Sequence, residues 1–144
     1  LHVGDFFTAD SSKYDVLLLL DVVEHVADPH DFLMRLKSRS DYFLIHFPLD
    51  LSAISVLRES PLLYVRRKVG HIHYFTKGLA LELLGECDLE VIDWQYTGAA
   101  FTAPRAQLKT RLAQWPRRLA YMLGKDIGVR LLGGETLMVL ARSR

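Results

Sequence analysis

Tyr14-Asp15-Val16-Leu17-Leu18-Leu19-Leu20-Asp21-Val22-Val23-Glu24-His25-Val26-Ala27-Asp28-Pro29 decides how the chain is read. Its opening is nearly continuous in Val and Leu, which suits a strand covered on both faces, as in the parallel sheet of an α/β domain. Such a strand needs helices on either side. Asp28 is placed to cap one, Pro29 stands at its first position, and Phe32, Leu33 and Leu36 recur at helical spacing, predicting a helix over 28–38. Asp41 to Phe47 is rich in aromatic and β-branched residues and ends at Pro48, which predicts a second strand. Strand, helix and strand in this order imply a right-handed parallel crossover.

Beyond this unit the pattern loosens. Residues 49–75 mix leucines with Arg58, Arg66, Arg67 and Lys68 and are expected to form short helices and loop. Thr76 is a cap for a helix through about Cys87, with Leu79, Leu83 and Cys87 on its apolar face. Asp88 stands at the helix stop, where the left-handed conformation favours Gly but tolerates Asp. Leu89 to Tyr96 predicts a strand, and Glu135 to Arg142 a last one behind the Gly133-Gly134 turn.

Composition narrows the class. At 144 residues, half of them hydrophobic and about a quarter charged, the chain has the make-up of one folded domain spanning 1–144. A formal net charge of +1 gives no global reason to expect nucleic acid. The longest apolar runs fall far short of the roughly 20 residues that span a bilayer. The single cysteine, Cys87, cannot form an internal disulfide, sits among leucines, and is expected to be a buried inert thiol in a reducing, cytoplasmic setting. Leu1 to Asp5 reads as the end of a strand, so the chain is expected to begin within a fold.

In a doubly wound sheet, ligands bind at the carboxyl ends of the parallel strands. Three polar places follow apolar runs: Asp5 after Val3-Gly4, Asp21 after the Leu run, and His46 to Asp50 around the second strand's end. An Asp there can accept from an exocyclic amine while the next amide donates to a ring nitrogen. Adenine presents that pair.

Several segments in order resemble the class I S-adenosylmethionine-dependent methyltransferases, in particular the bacterial branch that includes ubiquinone-biosynthesis-type O-methyltransferases. Gly4-Asp5-Phe6 is similar to the family's third-strand motif. The strand ending at Asp21 and the run Glu24-His25-Val26-Ala27-Asp28-Pro29 resemble its fourth strand and "Glu-His-Val…Asp-Pro" signature. Gly70-His71-Ile72-His73-Tyr74-Phe75-Thr76 resembles its "His…Phe-Thr" segment before a helix. The resemblance covers nearly the whole chain, but only the C-terminal half of such a domain: the family's glycine-rich loop and the acidic residue that holds the ribose are absent, and no Gly-x-Gly-x-x-Gly occurs among the nine glycines.

The resemblance implies a Rossmann-like α/β fold made of the late strands, with an antiparallel final strand, and with 49–75 and 97–134 as substrate-side or capping insertions. It implies S-adenosylmethionine as cofactor, with Asp5 and Phe6 at the adenine and Leu20 and Asp21 near the amino-acid part, although Asp21 is also placed to act as a cap. The reaction implied is methyl transfer to a small-molecule oxygen or nitrogen. His25 is the candidate general base, since neutral imidazole can take a proton from a hydroxyl as it attacks; the alternative is that Glu24 and His25 only orient the loop. His71, His73 and Tyr74 are candidate substrate contacts. Asp21, Glu24 and His25 are hard enough donors for a divalent cation, but two His at i, i+2 make no helical pair and the sequence shows no third ligand for them, so no metal is expected.

Between Gly98 and Lys125 lie Arg105, Lys109, Arg111, Arg117, Arg118 and Lys125 with no acidic residue. That stretch reads first as a helix with a solvated basic face, and second as a membrane-surface or anion contact. The alternative to an enzyme is a non-catalytic half-domain whose exposed sheet edge pairs with another chain, for instance as a homodimer.

Overall fold

The computed structural model describes residues 4–9, 11–98, 120–122 and 124–144. A short helix α1 (Phe6–Ala9) precedes strand β1 (Tyr14–Leu20), a single 3-10 turn (Val23–His25), helix α2 (Pro29–Lys37) and strand β2 (Ser40–Pro48). Helices α3 (Ala53–Arg58) and α4 (Ser60–Tyr64), a π-helical turn (Val65–Val69), helix α5 (Lys77–Glu86) and strand β3 (Leu89–Tyr96) follow. Helix α6 (Lys125–Leu132) leads into strand β4 (Thr136–Ser143).

The four strands form one sheet in the order β1-β2-β4-β3. β1 and β2 are parallel, with Leu17 opposite Phe43 and Leu19 opposite Ile45, as a strand-helix-strand unit requires. β4 is inserted antiparallel between β2 and β3. The expected α/β sheet with an antiparallel final strand is therefore present.

Local chemistry set the helix ends. Asp28 accepts from the Asp31 amide at 2.9 Å ahead of Pro29, and Thr76 accepts from the Leu79 amide at 3.3 Å. Asp88 ends α5 with φ 54°, the left-handed position expected for it. At the last turn Gly133 has φ 63°, and a Cβ there would lie 2.8 Å from the Ser52 hydroxyl, so both the backbone and the space require glycine.

Two expectations change. The buried face of α5 is Ala80, Leu84 and Cys87, whereas Leu79 is half exposed. Leu79, Ala80, Leu81, Leu83 and Leu84 surround the helix with apolar side chains, so spacing alone does not choose the face that packs. β1 is not covered on both faces either: it is the sheet's edge strand, and Val16, Leu18 and Leu20 are 49%, 59% and 50% exposed while Leu19 is buried.

The core lies on one side of the sheet. Phe43, Ile45 and Phe47 of β2 stand directly opposite Ala141, Val139 and Leu137 of β4, all fully buried. Leu33 and Leu36 of α2 and Ala80, Leu84 and Cys87 of α5 belong to the same buried cluster. Full burial of an aromatic or branched side chain contributes about 1.5–3 kcal/mol each. No helix among the described residues is long and apolar enough to cross a membrane. The basic stretch from Arg105 to Arg118, and the opening Leu1 to Val3, lie outside the described residues.

Candidate active site

The 3-10 turn after β1 brings the chain's polar groups together. Asp21 takes a left-handed φ of 54° at the strand end, and its carboxylate accepts from the His46 Nδ1–H at 2.6 Å; His46 is the β2 residue opposite Leu20. Asp21 does not cap the turn: Val22 occupies the cap position with no side-chain hydrogen bond. The Asp21 carboxylate is still well exposed at 61% and the Leu20 side chain stands half exposed beside it, so this strand end presents an anion next to an apolar surface.

Behind it, Glu24 is fully buried. Its main-chain carbonyl accepts from the Ile72 and His73 amides at 2.9 and 3.2 Å, which pins the segment 70–75 across the turn. That clamp carries His71 to Glu24, with His71 Nε2 3.9 Å from Glu24 Oε1 and His25 Nε2 4.0 Å from the same oxygen. The two imidazoles meet edge to face with centroids 5.0 Å apart. Each ring is oriented from its other nitrogen: His25 Nδ1–H donates to the Gly70 carbonyl at 3.0 Å, and His71 Nδ1–H donates to Asp50 at 2.6 Å. Nε2 of each neutral imidazole is then a lone pair directed into the cluster.

Glu24 is the unusual member. Neither of its carboxylate oxygens has a hydrogen-bond partner, although a buried polar group left unpaired costs about 1–3 kcal/mol. Burial is the main force that pushes its pKa above the usual carboxylate value, and the Asp21 charge adds to it; the nearby main chain of Glu24 itself and the two imidazoles act the other way. A proton or a cation shared among these groups would offset the buried carboxylate.

Among the described residues, Glu24, His25 and His71 form the only group of three or more His, Cys, Asp or Glu donors close enough to share a metal, with ligand atoms within 4.8 Å of one another. One carboxylate and two imidazoles suit a divalent transition ion, with the Asp50 carboxylate orienting the His71 ring. His71 meets its partner donors, Glu24 and His25, from a distant turn, and His73 is not among them. A cavity of about 490 Å³, lined by Pro48, Asp50, Ser52, Ile54, Arg58 and Glu135 among others, reaches the cluster only through Asp50. Asp50 thus belongs both to the His71 pair and to the cavity wall.

His25 and His71 meet as site residues, and Leu20 and Asp21 border them. His73 and Tyr74 are spent elsewhere: His73 Nε2–H donates to the Ala27 carbonyl at 3.3 Å and the Tyr74 hydroxyl to the Leu62 carbonyl at 3.2 Å, so both secure the loop. Asp5 caps α1 through the Phe7 amide at 2.9 Å, and the Phe6 ring lies against Tyr14 at the amino end of β1. A seven-residue strand spans roughly 20 Å, so the structure does not bring Asp5 and Phe6 to Asp21. Asp50 closes the His46 to Asp50 stretch expected to matter at the end of β2, and its role there is to orient His71.

The topology around this site, with parallel β1 and β2, an antiparallel β4 inserted beside β2 and the polar cluster at the carboxyl end of β1, has counterparts of known structure. The magnesium protoporphyrin IX methyltransferase of Synechocystis PCC 6803, solved with bound SAH, superposes at a TM-score of 0.54 over 97% of this chain, at 12% identity. This is the fold of the class I methyltransferases. A putative methyltransferase from Bacillus halodurans C-125 gives 0.56 over 92% of the chain at 10% identity, and a SAM-dependent methyltransferase from Archaeoglobus fulgidus 0.51 over 91% at 15%. The chain spans 49%, 70% and 60% of the lengths of these three proteins. No protein-family model matches the sequence, and no curated protein does.

Proposed function

We propose that this chain carries the acceptor-side half of an S-adenosylmethionine-dependent methyltransferase that alkylates an oxygen or nitrogen of a small molecule, with His25 as general base. The observation that supports this reading is the His25 ring itself: held through Nδ1 by Gly70 at the carboxyl end of β1, it turns Nε2 toward the Glu24 carboxylate. A proton leaving the acceptor as it attacks would pass to Nε2, and the buried Glu24 carboxylate at 4.0 Å would stabilise the imidazolium that results.

The residues present fit only one side of the cofactor. Asp21 would hold its ammonium group and Leu20 its apolar flank, while Asp5 and Phe6 are proposed for the adenine on resemblance alone and would have to leave their place beside Tyr14. When bound, the cofactor supplies an electrophilic methyl group. The chain's own contribution is to position the acceptor and take its proton. Isothermal titration with S-adenosylmethionine tests the reading: heat of binding in the micromolar range supports it, and no heat at millimolar ligand favours the half-domain alternative, for which the place of β1 as an end strand of the sheet among the described residues is the supporting observation.

Glu24, buried without a partner beside two imidazole lone pairs, favours a metal-assisted form of the same reading. A divalent ion on Glu24, His25 and His71 would bind and acidify the acceptor hydroxyl, leaving His25 as ligand and not base. Thermal melting with and without manganese or zinc separates the two: a rise abolished by His71→Ala supports the metal, and no change supports the base.

A further inference from the structure

The helical segment between β2 and α5 carries a surface that the methyl-transfer reading does not use. Residues 53–69 contain Arg58, Arg66, Arg67 and Lys68 against one carboxylate, Glu59. None of the four cations enters an ion pair among the described residues. Arg66 only donates to the Ile72 carbonyl at 3.4 Å. Interleaved with them are apolar side chains turned to solvent: Leu57 at 86% exposure, Tyr64 at 63%, Val56 at 56% and Val69 at 50%.

α3 and α4 are joined at Glu59, whose φ of 54° turns the chain back on itself. The π-helical turn continues α4 and ends at Gly70 with φ 94°. Tyr64, Arg67 and Lys68 line one shallow hollow of about 300 Å³ with Leu63 and Ser60, so aromatic, aliphatic and cationic groups share a single face. The same segment gives Ile54, Arg58 and Pro61 to the cavity beside Asp50.

We propose that residues 53–69 dock on the surface of an anionic phospholipid bilayer, with Arg66, Arg67 and Lys68 at the headgroup phosphates and Leu57, Tyr64 and Val69 among the acyl chains. Cations pay little desolvation at a headgroup layer while aliphatic neighbours leave water for the acyl boundary, and a mixed basic and apolar helical face gains from both. A second copy of this chain fits poorly, because a symmetric contact would set four unpaired cations against four. A nucleic acid would satisfy the cations but leave Leu57, Val56 and Val69 in water. The proposal is independent of methyl transfer, since it concerns the outer face of the segment and not the cluster at Glu24.

Co-sedimentation of the full chain with vesicles tests it. Binding is expected to vesicles of phosphatidylcholine mixed with phosphatidylglycerol, to weaken as salt rises, and to be slight with phosphatidylcholine alone. Each cation near an anionic surface strengthens binding about fivefold, so Arg66→Ala, Arg67→Ala and Lys68→Ala combined should weaken it on the order of 100-fold. Leu57→Glu should also remove it, with an unchanged melting temperature because Leu57 is 86% exposed. Equal binding to neutral vesicles, an unaffected triple variant, or release by glycerophosphate at concentrations where sodium chloride has no effect would overturn the proposal. Salt-dependent binding of duplex DNA that is indifferent to Leu57→Glu would overturn it as well.

Discussion

Along β1 the two faces of the sheet are built from similarly apolar sequence and end in different surroundings. On one face Leu19, Phe43, Ile45, Phe47, Leu137, Val139 and Ala141 lie beneath α2 and α5 with almost no exposure. On the other, Val16, Leu18 and Leu20 stand about half exposed beside Tyr42, at 40%. Alternation along each strand sends neighbouring residues to opposite faces, so Leu18 and Leu19 differ only in which side they take. Hydrophobicity of a strand records what it is suited to touch, and only packing elements decide whether it does.

The largest effect that tests this contrast is Phe43→Ala. It should lower unfolding free energy by about 3–5 kcal/mol in denaturant titration, because the side chain leaves a cavity between fully packed neighbours. Glu24→Gln comes next and tests the buried end of the covered side. A carboxyl whose folded pKa lies above its unfolded value contributes stability that is whole below about pH 4.5 and is lost as pH rises through the folded pKa. The neutral amide does not ionise and should remove that fall, so the stability of the variant relative to wild type should rise with pH above about 4.5; equal pH profiles in thermal melts would count against a Glu24 whose ionisation burial opposes. Asp28→Ala removes the α2 cap and should cost about 1 kcal/mol, since the Asp31 amide then loses its acceptor. Leu18→Ser, on the open face, should change stability by about 0.5 kcal/mol or less. A loss comparable to that of Phe43→Ala would break the comparison, and it would mean that self-association covers this face in solution.

The fold was legible wherever its determinants are local. Asp28-Pro29, Thr76 and Asp88 each announce a helix end from within a few residues, and each stands where the spacing places it. The packed face of α5 was not legible, because leucines on every side leave the choice to Leu33, Leu36 and the sheet, which are far away in sequence. The site divides in the same way. Asp21 and His25 could be read from the strand end that precedes them, whereas Glu24, His71 and Asp50 meet only because two amides of the 70–75 segment bind the Glu24 carbonyl. Nothing near Asp50 in sequence reports that His71, 21 residues later, will bond to it.

Cys87 gives the covered side a built-in chemical clock. Its thiol is fully buried at the end of α5, 3.8 Å from the His30 carbonyl of α2, and burial together with nearby carboxylates pushes its pKa up to about 11. A thiol reagent at neutral pH meets neither an accessible sulfur nor a useful fraction of thiolate. Labelling must wait for α5 to lift from the sheet, so the rate of modification of this single cysteine reads how often the α2–α5 layer opens while the rest of the chain remains folded.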